Sequence, residues 1–90
     1  MTENEIGTLA LKAAIEVHRE LGPGLLESVY EAALAYELQE MGLHVLVQVP
    51  VPVKYKSIQF EIGFRMDLLL NDLVVLELKS VEAISASHRK

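Results

Sequence analysis

The 90-residue chain has no cysteine. That excludes disulfides and thiolate zinc sites, and it fits a reducing cytoplasm. No apolar stretch approaches the ~18 residues needed to cross a bilayer, so no membrane association is expected. The opening MTENEIG is acidic and polar, unlike a secretory signal or a transit peptide. Basic charge is scarce: Lys and Arg number 8 against 13 Asp and Glu, a formal net charge of -5. Nucleic-acid binders usually carry a basic surface, so this balance weighs against that class. Carboxylates gathered around a metal would inflate the negative total, and the ion would offset part of it. There is no internal repeat, low-complexity segment or linker. What the chain does have is apolar residues, 51% of the total. That suffices for a packed core and excludes a disordered chain. A chain this short buries only roughly 60–65% of its unfolded surface, so one small domain over residues 1–90 is expected.

Ile6, Leu9, Ala10, Ala13, Val17 and Leu21 recur at helical spacing and mark one face of a first helix. Asn4 is its predicted N-cap, and Gly22-Pro23-Gly24 stops it. A second helix runs to about Met41, with Gly42 as its breaker and Tyr30, Leu34, Leu38 and Met41 as its stripe. Ser28 and Glu31 have the spacing of a capping box, which starts this helix at Ser28 or one turn earlier.

From His44 the period becomes two. Val45, Val47, Val49, Val51 and Val53 alternate with residues that include Pro50 and Pro52. Both prolines lack a donor on the same side, so this is an edge strand. A second strand has Ile58, Phe60, Ile62, Phe64, Met66 and Leu68 on one face and Gln59, Glu61, Gly63, Arg65 and Asp67 on the other. A third carries Val74, Leu76 and Leu78 opposite Val75, Glu77 and Lys79. The expected fold is α+β: two N-terminal helices packed on a mostly antiparallel three-stranded sheet.

Register then gathers the polar residues. A two-residue Asn71-Asp72 hairpin would throw the apolar rows of the second and third strands onto opposite faces. An odd loop is required, either residues 70–72 or residues 71–73. The first is preferred, because it leaves Asp72 rather than Leu73 in the left-handed position. Either way Asp67, Glu77 and Lys79 share a face, with Arg65 and Glu61 beside them. A Lys56-Ser57 turn keeps the preceding hairpin in phase and puts Gln48 opposite Arg65. Glu27, one turn before Tyr30, continues the stripe of the second helix. A carboxylate there is costly to bury unless a cation meets it.

Carboxylates with a lysine at strand ends suit a hard divalent ion such as Mg²⁺. Such an ion polarises a phosphodiester and lowers the pKa of a bound water, and a lysine two residues from a ligand can steady developing charge. Each residue also has a plainer reading. Asp67 and Lys79 make an ion pair or a solvated strand face. Glu27 answers the helix dipole. Arg65 pairs with Asp67 or Glu61, and Gln48 is a polar strand residue. His18 is a boundary residue, His44 and His88 are isolated, and Tyr30 and Tyr36 are packing residues.

Gly24-Leu25-Leu26-Glu27-Ser28-Val29-Tyr30 matches the motif of the GxxExxY proteins, a branch of the PD-(D/E)XK nuclease-like superfamily. Gln48 with the Val-Pro alternation, Tyr55-Lys56, Arg65 to Leu69 and Val75 to Glu82 resemble the same family, in order along nearly the whole chain. The resemblance implies a central mixed sheet flanked by helices. It implies that Asp67 and Glu77 bind Mg²⁺ or Mn²⁺, that Lys79 serves the attacking water, and that Glu27 adds an acidic group. Gln48 and Arg65 would be accessory or nucleic-acid-facing residues. The implied function is a metal-dependent phosphodiesterase, a DNA endonuclease or a relic of one. A non-catalytic oligomerisation or binding module on the same fold is the alternative, and an accidental match on a helix–sheet interaction domain is the third reading. Similar proteins continue with a full helix and a strand after the Glu-x-Lys segment, whereas Ser80–Lys90 alone follow here. A C-terminally truncated domain is therefore expected, with a homo-oligomer formed through the edge around residues 73–79.

Overall fold

The computed structural model describes residues 1–78; Lys79, Ile84 and His88 are among those that lie outside the described residues. Two helices, α1 (Glu3–Leu21) and α2 (Glu27–Glu40), precede three strands, β1 (Val45–Tyr55), β2 (Ile58–Leu70) and β3 (Val74–Leu76). The sheet is antiparallel in the order β1-β2-β3, so β1 is an edge, as Pro50 and Pro52 require.

The α1 N-cap is Thr2, not Asn4. The Thr2 hydroxyl accepts from the Glu5 amide at 3.1 Å, and the Glu5 carboxylate accepts from the Thr2 amide at 2.7 Å. This reciprocal pair satisfies two end groups, and Asn4 falls inside the first turn. Hydrogen bonding to the Thr2 backbone holds the Glu5 carboxyl below its usual pKa. The expected capping box of Ser28 and Glu31 does not form. Leu26 occupies the α2 N-cap without a side-chain hydrogen bond, and Ser28 and Glu31 both lie within the helix.

Tyr30 fixes the α1–α2 turn instead. Its ring is buried in the core. Its hydroxyl accepts from the Leu25 amide at 3.2 Å and donates to the Gly22 carbonyl. Within the turn Gly22 and Gly24 have φ of 72° and 94°, values that favour glycine. The tyrosine of the Gly24–Tyr30 motif thus latches the segment that contains the motif's glycine. Tyr36, read from sequence as a packing residue, is 60% exposed. At the far end of α2, the Gly42 amide donates to Gln39 and the Leu43 amide to Leu38, with Gly42 at φ 91°. This paired ending turns buried Leu43 back onto Leu38.

The core joins Ile6, Ala10, Ala13 and Val17 of α1, Tyr30, Leu34, Ala35 and Leu38 of α2, Leu43, and Leu68 and Leu70 of β2. The helices cover one end of the sheet. Leu68 and Leu70 are fully buried there, whereas the same apolar row farther out on the hairpin is exposed at Phe64, Phe60 and Ile58.

The hairpin register is not uniform. Tyr55 pairs with Ile58 around Lys56-Ser57, as expected, but a bulge intervenes between Val51↔Phe64 and Val53↔Phe60. One residue of β1, Pro52, there faces Glu61, Ile62 and Gly63 of β2. The excess of two leaves the side-chain alternation intact and moves every later pairing by two. Pro50, not Gln48, therefore sits opposite Arg65. The loop before β3 is residues 71–73 rather than the preferred 70–72, because Leu70 pairs with Val74. Asn71 and Asp72 take φ of 52° and 55° as the centre of a turn closed by the Leu73 amide on the Leu70 carbonyl, 2.9 Å. Two consecutive left-handed residues suit the right-handed twist of a hairpin, and they leave Leu73 as the extra residue. The odd count keeps Leu68, Leu70, Val74 and Leu76 on one face.

Candidate metal and catalytic site

Asp67 lies on β2, three residues before its buried end, and is half-buried. Register continued one step past Leu68↔Leu76 puts Glu77 across from it. Asp67 Oδ2 accepts a hydrogen bond from the Leu78 amide at 2.5 Å. The carboxylate is thereby tied to the backbone between Glu77 and Lys79, where the ladder itself has ended. Glu77 is exposed.

Across β1, Gln48 falls between the Val47↔Leu68 and Val49↔Met66 pairs, opposite Asp67. Its φ is 54°, which costs a non-glycine residue about 1–3 kcal/mol and interrupts the extended strand at that point. The Gln48 carboxamide donates to Glu31 Oε2 at 2.6 Å, and at 3.4 Å it reaches Asp67 Oδ1, a long contact. Glu31 was not among the sequence-derived candidates, because its spacing from Ser28 read as a cap. The signal that would have found it is its place one helical turn after Glu27 on the same face of α2.

Glu27 opens α2, is exposed, and makes no hydrogen bond among the described residues. Arg65 is exposed on the same strand face as Asp67. Among the described residues Arg65 forms no ion pair with Asp67 or Glu61; the pair that forms is Arg19–Glu16 on α1. Lys79 lies outside the described residues. Among the described residues no three His, Asp or Glu side chains converge on a metal position. The donor chemistry of Asp67 and Glu77 nevertheless fits Mg²⁺, which needs only one or two protein carboxylates and keeps its waters. Among the described residues each Asp67 oxygen meets one donor, and a carboxylate oxygen has a second lone pair to offer.

No helix among the described residues is long and apolar enough to cross a membrane. A search of curated proteins and of solved structures gives no match. A family model described as the PD-(D/E)XK nuclease superfamily matches residues 4–90, and members of that superfamily generally use divalent metals. With the match spanning nearly the whole chain, two helices ahead of an antiparallel sheet, and Asp67 bonded to the Leu78 amide, the chain belongs to the PD-(D/E)XK nuclease superfamily.

Proposed function

We propose that this chain is a GxxExxY-type member of the superfamily that hydrolyses phosphodiester bonds in DNA with Mg²⁺ or Mn²⁺. The observation that carries the reading is the Asp67 carboxylate fastened to the Leu78 amide. That bond ties the aspartate to the residue that follows Glu77 and precedes Lys79 in the sequence. Asp67 and Glu77 are the proposed metal-holding residues, and Glu27 supplies negative charge from the α2 N-terminus. When bound, the ion would polarise a phosphodiester and acidify a water. Lys79 is the proposed group that orients this water and steadies the developing charge, and Arg65 is the proposed contact for a DNA phosphate.

Calorimetric titration with Mn²⁺, paired with melting curves, tests this. Wild type is expected to bind, and at an ion concentration 100-fold above Kd its native state gains about 2.7 kcal/mol. Asp67→Ala or Glu77→Ala should lose both binding and stabilisation. Lys79→Ala should keep most binding and lose plasmid cleavage, since an ammonium is no ligand for a hard cation. Equal metal-induced shifts in wild type and Asp67→Ala would exclude the proposed ligation.

A second reading, a non-catalytic module that self-associates, is favoured by one observation. Val53, Tyr55, Ile58, Phe60 and Phe64 form an apolar row on the hairpin, each 40–59% exposed. A contiguous patch of that kind marks an interface in many soluble proteins, and the same face on a second copy would meet it across a two-fold axis. Sedimentation equilibrium at micromolar concentration should then show a dimer that Phe60→Lys converts to monomer. A wild-type monomer would remove this reading.

A further inference from the structure

We propose that Glu31 and Gln48 are a positioning pair for Asp67, with Glu31 anchoring the Gln48 carboxamide and Gln48 orienting the aspartate for the metal. This rests on the metal-site reading above and adds two residues to it, neither of which touches the ion. A carboxamide nitrogen has two protons. One meets Glu31 Oε2 at 2.6 Å, and the nitrogen stands 3.4 Å from Asp67 Oδ1. The first contact is short because its acceptor is charged. Since Leu78 already engages Asp67 Oδ2, a donor on Oδ1 stops the carboxylate from rotating about its last bond. What remains is the outward lone pair on each oxygen, which is the arrangement a metal ligand needs.

Two backbone features hold Gln48 where it can do this. The bulge at Pro52 moves β1 by two positions, so that Gln48 rather than Leu46 faces Asp67. The left-handed backbone at Gln48 then takes the residue out of the regular ladder. Residues kept in such conformations cluster where a site requires them. The chain as a whole thus spans the bridge with three elements: α2 through Glu31, β1 through Gln48 and β2 through Asp67.

The test is Mn²⁺ affinity by calorimetry on the full chain, with metal-free melting measured alongside. Gln48→Ala is expected to weaken Mn²⁺ binding about 10–100-fold, the usual effect of losing a group that orients a ligand, while melting in the absence of metal changes little. Gln48→Gly suits φ 54°. It should melt no lower than wild type and still lose affinity, an outcome that a purely structural role would not give. Glu31→Ala should match Gln48→Ala, and the double variant should be no worse than either, because both remove one interaction. Glu31→Gln keeps an acceptor for Gln48 and should hold affinity within about 3-fold. Loss in Glu31→Gln as severe as in Asp67→Ala would make Glu31 a ligand and overturn the proposal. Unchanged affinity in Gln48→Ala and Gln48→Gly would overturn it as well, with the metal site left standing. Failure of wild type to bind Mn²⁺ would overturn the site and this proposal together.

Discussion

Leu68→Ala is expected to cost about 2–5 kcal/mol of unfolding free energy, the range for truncating a fully buried leucine. Leu68 is 0% exposed. It sits on the central strand, paired to Val47 on one side and Leu76 on the other. Its side chain belongs to the cluster formed with α1 and α2, so its loss opens a void in contact with several elements. A domain of this size has a total of about 5–15 kcal/mol, so the variant stands near the threshold of folding. Urea denaturation should show a lower midpoint with an unchanged slope. Phe60→Ala is the comparison. Phe60 lies on the same apolar row, but beyond the helices and 48% exposed. Its truncation should cost roughly 0.8–1.5 kcal/mol, about half the value for a fully buried side chain. Equal losses at the two positions would mean that the row is covered along its length.

That contrast also separates what the sequence discloses from what it does not. The period of two names the whole row from Ile58 to Leu68 as apolar but says nothing of how far the helices reach over it. The helix faces were legible because Ile6, Ala10, Ala13 and Val17, and Tyr30, Leu34 and Leu38, repeat at helical spacing and are buried. The edge position of β1 was legible because proline removes a donor at a known place. The odd loop before β3 followed from keeping two apolar rows on one face. Its exact residues did not follow, because a turn of Asn71 and Asp72 with Leu73 as the extra residue satisfies the same parity as residues 70–72. Glu31 escaped for a different reason. Local spacing offered it Ser28 as a partner, and the partner it takes, Gln48, is distant in sequence. The bulge escaped because a shift of two preserves every alternation on which a register argument depends.

Gly63 is the residue through which that bulge can be broken. A Cβ placed on Gly63 would lie 2.0 Å from Val53 Cγ2 and 2.6 Å from Val53 Cβ. No side-chain contact survives at that distance, and Val53 has a stiff β-branched side chain with little room to yield. Gly63→Ala is therefore expected to destabilise by about 1–3 kcal/mol, as overpacking does, or to relieve the overlap by expelling the bulge. The second route returns the hairpin to the register that the Lys56-Ser57 turn sets, in which Gln48 faces Arg65. Apolar alternation does not oppose a slip of two. On the second route Gln48 is no longer held opposite Asp67, and Mn²⁺ affinity should fall as it does in Gln48→Ala; on the first the register and the affinity are kept and only stability falls. Gly7→Ala serves as the reference, because a Cβ there meets nothing within 4 Å and alanine gains roughly 1 kcal/mol over glycine inside a helix. Urea denaturation and Mn²⁺ calorimetry on both variants read the effect, and cross-strand proton contacts by NMR distinguish Val51 beside Phe64 from Val51 beside Ile62. Wild-type stability and affinity in Gly63→Ala would show that the close approach to Val53 does not set the register of the site.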